Sequence, residues 1–311
     1  MNTFVLFQQM LMLFAMIAAG YAAFRAGFFD STGQHQISKI IVNVLNPCLI
    51  LSAIAGDRAP GAMQLSFQNF MASSVFYIYF IIASYIYHFI KRKLVKKEKP
   101  ELRLEQLMII LSNLGFFGIP VVKALFGDEY VIYLIFYMLL FNIVAYTLGI
   151  FLAMPHGSGS PKFSPKQIIN TGTVMSIIAI LLYIAEVPIN ETVGNFFTYM
   201  GNACIPLSML LIGGSFAQLD LKEVFSDKGI YIFILLRNIL IPALGILLFR
   251  MLPFEPVIIN ICCLCASMPI AALSGMISEQ YAHKGNFANK MVAMSTVLSV
   301  VTVSLLSLLY R

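Results

Sequence analysis

Along almost the whole chain the apolar positions run on instead of alternating, in stretches of about 20 residues, the length that crosses a bilayer as a helix. Ten such stretches are predicted, at 4–26, 33–55, 67–90, 105–126, 130–154, 168–186, 194–218, 229–252, 256–280 and 288–310. The pattern describes an all-α polytopic membrane protein of ten transmembrane helices, with no room for a soluble domain. The longest polar connections are 91–104 and 155–167. The second is built from Pro, Gly, Ser and Lys and reads as a flexible linker. It separates a first five-helix unit, 1–154, from a second, 168–311.

One stretch breaks the pattern from within. Ser112-Asn113-Leu114-Gly115-Phe116-Phe117-Gly118-Ile119-Pro120 lies in the middle of the fourth span. Proline removes a donor and clashes with the preceding turn, glycine weakens a helix, and in hydrocarbon each freed N–H or C=O needs a partner. A break at Pro120 is therefore expected only where it is buried in protein or lines a cavity. The ninth span carries a counterpart at Ser267-Met268-Pro269, and the second and seventh carry Asn46-Pro47 and Pro206. The prolines are 120 − 47 = 73 residues apart in the first half and 269 − 206 = 63 in the second, a difference that the basic loop after the third span absorbs. Five spans followed by five put the halves in opposite orientations, the inverted-repeat plan of many secondary transporters.

Composition agrees: 59% of residues are hydrophobic and 11% charged, against about 25% charged in a soluble domain, and the mean hydropathy is +0.86. The net charge of +6 does not point to nucleic acid, because most Lys and Arg lie in short connections between apolar segments. With the N-terminus outside, fifteen of the 20 Lys and Arg fall on the inner side, four (Arg58, Lys123, Arg250 and Arg311) on the outer, and Arg237 within a span. That bias orients both termini outside an inner (plasma) membrane and puts the 155–167 linker in the cytoplasm. No Lys or Arg precedes Arg25, so the first span is expected to remain as a span instead of being cleaved as a signal peptide. The five cysteines all fall in apolar spans; Cys262 and Cys265 form a C-x-x-C without a second ligand pair and read as small buried hydrophobes. Nucleophile-elbow, zincin and phosphate-loop motifs are absent from the sequence, and the four histidines are dispersed. Neither an enzyme nor a metal or cofactor is expected.

Asn113-x-Gly115-Phe116-x-Gly118-Ile119-Pro120, followed by Ala124-Leu125-Phe126-Gly127, resembles the fourth span of the auxin efflux carrier family, which contains plant auxin carriers and bacterial malate and malonate permeases. Pro206-Leu207-Ser208-Met209-Leu210-Leu211-Ile212-Gly213-Gly214, Arg237-x-x-Leu240-x-Pro242 and Ser295-Thr296-x-x-Ser299 are similar to further stretches of that family, in the same order. The resemblance implies two inverted five-helix repeats in which broken helices 4 and 9 cross at their prolines beside the substrate. It also implies carriage of a small organic anion by an elevator-like movement, and a homodimer. The short linker matches bacterial-type members and departs from the long loop of many plant carriers, which weighs against auxin itself.

The candidate chemistry follows from the crossing. Half-helix N-termini expose unpaired N–H groups and partial positive charge, suited to a carboxylate that leaves water without a full counter-ion. Asn113 adds amide donors, Gly115 and Gly118 allow close approach, and Ile119, Pro120, Ser267, Met268 and Pro269 complete the two breaks; the alternative role for all of them is tight helix packing. Asn46, and Asn142 with Tyr146 one turn on, either line the cavity or hydrogen-bond between helices. Arg237 is eight residues into its span, about 12 Å deep at 1.5 Å per residue. It either snorkels or binds a carbonyl as a structural partner, or it attracts the anion. Lys123 neutralises an anion or marks the end of the half-helix. No Asp or Glu lies near the centre of a predicted span, which weighs against proton antiport through buried carboxylates and leaves a proton or sodium ion open as coupling partner. The functional expectation is a secondary transporter of mono- or dicarboxylates such as malate or malonate, or of auxin-like acids. An anion channel or receptor on the same scaffold, or an unrelated ten-span metabolite or drug exporter, are the alternatives.

Overall fold

A computed structural model describes residues 3–55, 62–95, 100–154 and 168–310. The linker expected at 155–167, Arg58 and Arg311 lie outside the described residues. Among the described residues six helices are long and apolar enough to cross a membrane: Thr3–Arg25, Gln64–Leu94, Asp128–Ala153, Glu191–Ala217, Gly229–Phe249 and Gly285–Leu309. Shorter apolar helices cover Leu114–Phe126, Thr171–Ile184 and Pro256–Ser267. Among the described residues the rest is helical too, apart from turns and one isolated antiparallel bridge.

In chain order the helices are α1 (Thr3–Arg25), α2 (Ser31–Ile40), α3 (Asn46–Ser52), α4 (Ala62–Val95), α5 (Pro100–Ile110), α6 (Ile119–Phe126), α7 (Val131–Val144), α8 (Ile150–Ala153), α9 (Thr171–Ile184), α10 (Glu191–Ala217), α11 (Leu221–Ser226), α12 (Lys228–Leu235), α13 (Ile241–Phe249), α14 (Pro256–Ser267), α15 (Leu273–Ala282) and α16 (Gly285–Leu306). Their starts carry side-chain caps where the sequence offers Asp or Asn. Asp30 accepts from Gly33 N at 2.8 Å and Asn190 from Thr192 N at 3.0 Å, each satisfying one first-turn donor.

The prolines act differently from expectation. Pro47, Pro120 and Pro242 each stand in the first turn of a helix directly after a π-helical turn, Ile41–Leu45, Leu114–Gly118 and Leu236–Leu240. In each the residue before the proline bonds five back: Asn46 N to Ile41 O, Ile119 N to Leu114 O, Ile241 N to Leu236 O. The wider turn makes room for a ring that would collide with the carbonyl four residues back. Helix continuity therefore survives at Pro120, and at Pro206 inside α10. The fourth apolar segment is interrupted upstream of Pro120, at Leu111–Asn113, whereas the ninth is interrupted over 268–272, around Pro269, as expected.

Packing sorts the helices into groups. α1 lies against α10 closely enough that a methyl added to Gly213 would stand 2.0 Å from Ile17 O, and one added to Gly20 2.3 Å from Leu210 O. α10 meets α3 in the same way at Gly201, 2.7 Å from Leu49 Cα. Small residues let membrane helices approach backbone to backbone. On the other side, Phe76 of α4 meets Tyr137 of α7 edge to face at 5.4 Å between ring centroids. Tyr79 donates to Ile241 O at 2.6 Å, and Lys91 pairs with the buried Glu105 at 2.6 Å, tying α4 to α13 and α5.

Candidate functional site

The two interruptions meet. Asn113 N donates to Pro269 O at 2.8 Å and Ala271 N to Leu111 O at 2.9 Å, around the antiparallel pair Ser112 and Ile270. Each break thus supplies the backbone partners the other lacks, the condition for non-helical chain at membrane depth. Side chains from distant helices complete the junction. Arg237 Nε donates to Met108 O at 3.0 Å and its Nη2 to Ser112 Oγ at 2.7 Å. Ile270 N donates to Ser295 Oγ at 2.9 Å; that hydroxyl donates to Asn238 Oδ1 at 2.9 Å, and Asn238 Nδ2 returns to Ser295 O at 3.0 Å. Arg237 is 0% exposed, with Phe80 beneath its guanidinium at 5.3 Å. It does not snorkel: the structural alternative, a donor to a carbonyl, is the one observed.

Beside the junction is a cavity of about 160 Å³ lined by Asn46, Asn113, Gly115, Asn142, Tyr146, Asn170 and Gly172, with an apolar complement that includes Val42, Met138, Phe141 and Met276. Among the described residues no charged side chain lines it. Three helix starts face it: the π turn and α6 from Leu114, α9 from Thr171, and α15 through Ala271, Ala272 and Leu273. First-turn N–H groups have no intrahelical partner and carry partial positive charge. Asn113 caps the first of these starts, its Oδ1 accepting from Phe116 N at 3.3 Å, while its Nδ2 is buried without a hydrogen-bond partner among the described residues. A larger cavity of about 510 Å³ shares Val42, Phe116, Ala272 and Met276 with this one. It extends past Ser31, Gln34, Gln218, Glu279 and Asn286.

Of the residues expected at the site, Asn46, Asn113, Gly115, Asn142 and Tyr146 are brought together. Gly118, Ile119 and Pro120 belong to the buried turn behind them, and Gly118 faces Leu134. Met268 and Pro269 are backbone of the junction and do not line the cavity. Ser267 is buried elsewhere, donating to Cys263 O at 3.1 Å and accepting from Tyr310 Oη at 2.6 Å. Ser267→Ala is expected to lower stability by about 1 kcal/mol and to leave transport kinetics unaltered; a thermal melt and an uptake assay check both. Lys123 pairs with Asp128 at 3.4 Å, away from the cavity. The sequence reading missed Asn170, Gly172, Asn238 and the role of Ser295. Asn170 ahead of an apolar run had an N-cap signal; Asn238 had only its place beside Arg237.

A helical bundle with six membrane-length apolar helices among the described residues, enclosing a largely apolar cavity edged by asparagine amides, is an integral membrane protein. The chain belongs to the membrane transport protein family, whose model matches residues 5–307, the auxin efflux carrier group that its motifs resemble. It is 21% identical over 301 residues to an uncharacterized transporter of Methanothermobacter thermautotrophicus, covering 96% of this chain and 97% of that one. It is 22% identical over 301 residues to one of Methanocaldococcus jannaschii, covering 95% and 96%. A stretch of 72 residues, 21% of this chain and 12% of the relative, is 39% identical to an uncharacterized transporter of Saccharomyces cerevisiae. Arg237 and Ser295, both in the stretches that carry the resemblance, are the side chains that fasten the junction.

Proposed function

We propose that the protein is a secondary transporter of small organic anions, holding a substrate carboxylate in the cavity beside the crossing of the two interrupted helices. The observation that carries this reading is the buried Asn113 amide, unpartnered among the described residues, in a cavity that three helix N-termini face and no described acidic side chain enters. A carboxylate there would take N–H donors and partial positive charge in place of water. Ten crossings follow if α2–α3, α5 with Leu114–Phe126, α9, and α14–α15 join the six long helices, and this puts the interruptions in the fourth and ninth, one per inverted half.

An elevator-type movement is supported by the packing. α1, α3 and α10 are locked by backbone contacts at Gly20, Gly201 and Gly213, the interrupted pair is fastened to Arg237, Asn238 and Ser295, and the cavity touches the first group at Asn46 of α3 and the second at Asn113 and Ala271. With both termini outside, the larger cavity opens on the inner side, since its lining residues Ser31 and Gln218 are at the same helix ends as Arg25 and Lys222. That is an inward-facing state of alternating access.

The test is uptake of radiolabelled malonate and malate into proteoliposomes by Asn113→Ser, which keeps an oxygen to cap Phe116 N and removes the amide donors. Losing a hydrogen bond to a charged group costs about 1.5–3 kcal/mol, so uptake should fall about tenfold or more while the melting temperature holds. Unchanged uptake kinetics would remove Asn113 from the site.

A further inference from the structure

The guanidinium that fastens the crossing carries a charge that no described side chain balances. Arg237 is fully buried, and its hydrogen bonds go to neutral acceptors, Met108 O and Ser112 Oγ. Its remaining nitrogen, Nη1, is buried with no hydrogen-bond partner among the described residues. No carboxylate among them pairs with it; Glu105, the other buried charged side chain found there, is taken by Lys91 at 2.6 Å. A guanidinium does not lose its proton inside a protein, and the face of Phe80 offsets only part of the cost of burying it. Two neutral acceptors need donors, which a glutamine amide supplies without a charge. An ionised group kept unpaired at membrane depth points to a task for the charge itself.

That charge stands directly behind the crossing wall of the smaller cavity. Ser112, held by Nη2 at 2.7 Å, is followed in the chain by Asn113, which lines the cavity. With adjacent Cα atoms about 3.8 Å apart, the guanidinium and the cavity are separated by about 10 Å. Opposite unit charges at about that distance, in an effective dielectric of about 20, attract by about tenfold in affinity.

We propose that Arg237 is the counter-charge of the transported anion and moves with the crossing, so that the moving group crosses the membrane neutral when it holds a singly charged acid and as a cation when it is empty. This deepens the anion-carrier reading and rests on it. The guanidinium grips Met108 and Ser112 of the interrupted segment, so it travels with the cavity wall and not with α1, α3 and α10. A charge displaced along the membrane normal feels the membrane potential. With both termini outside, a potential negative inside draws the empty group towards the cytoplasm, the side to which the larger cavity opens. The return of the empty carrier, and not the passage of the anion, is then the step that the potential drives, and net movement is biased towards export.

The experiment reads which way the carrier faces. Ser38, on α2, lines the larger cavity and not the smaller one, so Ser38→Cys reports an open inner mouth by its reaction with a membrane-impermeant thiol reagent. The variant is studied in inverted vesicles, whose cytoplasmic face meets the reagent, with the potential clamped by a potassium gradient and valinomycin. Without substrate, a potential negative on the cytoplasmic side should raise the ratio of reactive to protected protein, about sevenfold for a change of about 100 mV if the charge crosses half the field. Malonate at about pH 8 bears two negative charges and turns the net charge of the group from positive to negative, so the shift should reverse. Arg237→Lys should keep both responses, and Arg237→Gln should lose the substrate-free one. Should either variant fail to fold, the Ser38→Cys protein with Arg237 intact, with and without malonate, still decides. No voltage shift in the substrate-free protein, or one that persists in Arg237→Gln, would overturn the counter-charge and leave the carboxylate site standing on the Asn113→Ser uptake. A substrate-free shift that malonate, although taken up, does not reverse would overturn it too. Malonate that is neither taken up nor alters the shift would overturn the anion reading with it.

Discussion

Replacing Gly213 by alanine should drive α1 and α10 apart and unfold the protein at a markedly lower temperature. The new methyl would meet Ile17 O at 2.0 Å and Tyr21 N at 2.6 Å, and both are main-chain atoms. No rotamer change relieves such a contact, so one helix must shift along its length. Overpacking costs about 1–3 kcal/mol where side chains can yield; a backbone collision belongs at or above the upper end. The five free, buried cysteines provide the readout, since a thiol-reactive dye reaches them only as the bundle opens. Gly115→Ala is the control for stability: its methyl would lie 3.5 Å from the flexible end of Met138. A Gly213→Ala protein melting with wild type would show that α1 and α10 are not in backbone contact.

Arg237→Met should be comparably severe, for an electrostatic reason. Methionine fills much of the volume but leaves Met108 O and Ser112 Oγ without their donor, both inside the bundle. Two hydrogen bonds to a charged donor contribute about 1.5–3 kcal/mol each, so a loss of about 3 kcal/mol is the lower expectation. Uptake should fall with it, because Ser112 is the residue next to Asn113 in the junction. Arg237→Lys retains a positive charge but not the fork that spans two acceptors, and should recover part of the stability. Wild-type melting of the methionine variant would mean that the junction holds without the guanidinium.

Much of the helical plan was legible because length and hydropathy decide it: 4–26, 194–218 and 288–310 were expected where Thr3–Arg25, Glu191–Ala217 and Gly285–Leu306 are found. The interruption near Pro120 was misplaced because a proline read in isolation counts as a breaker, whereas a π turn before it absorbs the ring and moves the irregular backbone to Leu111–Asn113. The site was half legible. Asn46, Asn113, Asn142 and Tyr146 stand out as polar residues in apolar segments, and they do converge. Which partner a polar residue meets is set by packing between segments far apart in sequence. Ser112 and Arg237 are 125 residues apart, and no periodicity links them. Ser267 was expected to complete the site with Met268 and Pro269, yet its hydroxyl is taken by Tyr310.

The paired interruptions also bear on how the chain is made. Synthesis delivers Leu111 O, Ser112 Oγ and Asn113 N to the bilayer long before Arg237, Pro269 and Ala271, the residues that satisfy them, have left the ribosome. During that interval the nascent fourth segment must stay near water or under an insertion factor, because hydrocarbon offers its exposed groups nothing. Residues 1–154 expressed alone should therefore be degraded, and co-expressed 168–311 should rescue them.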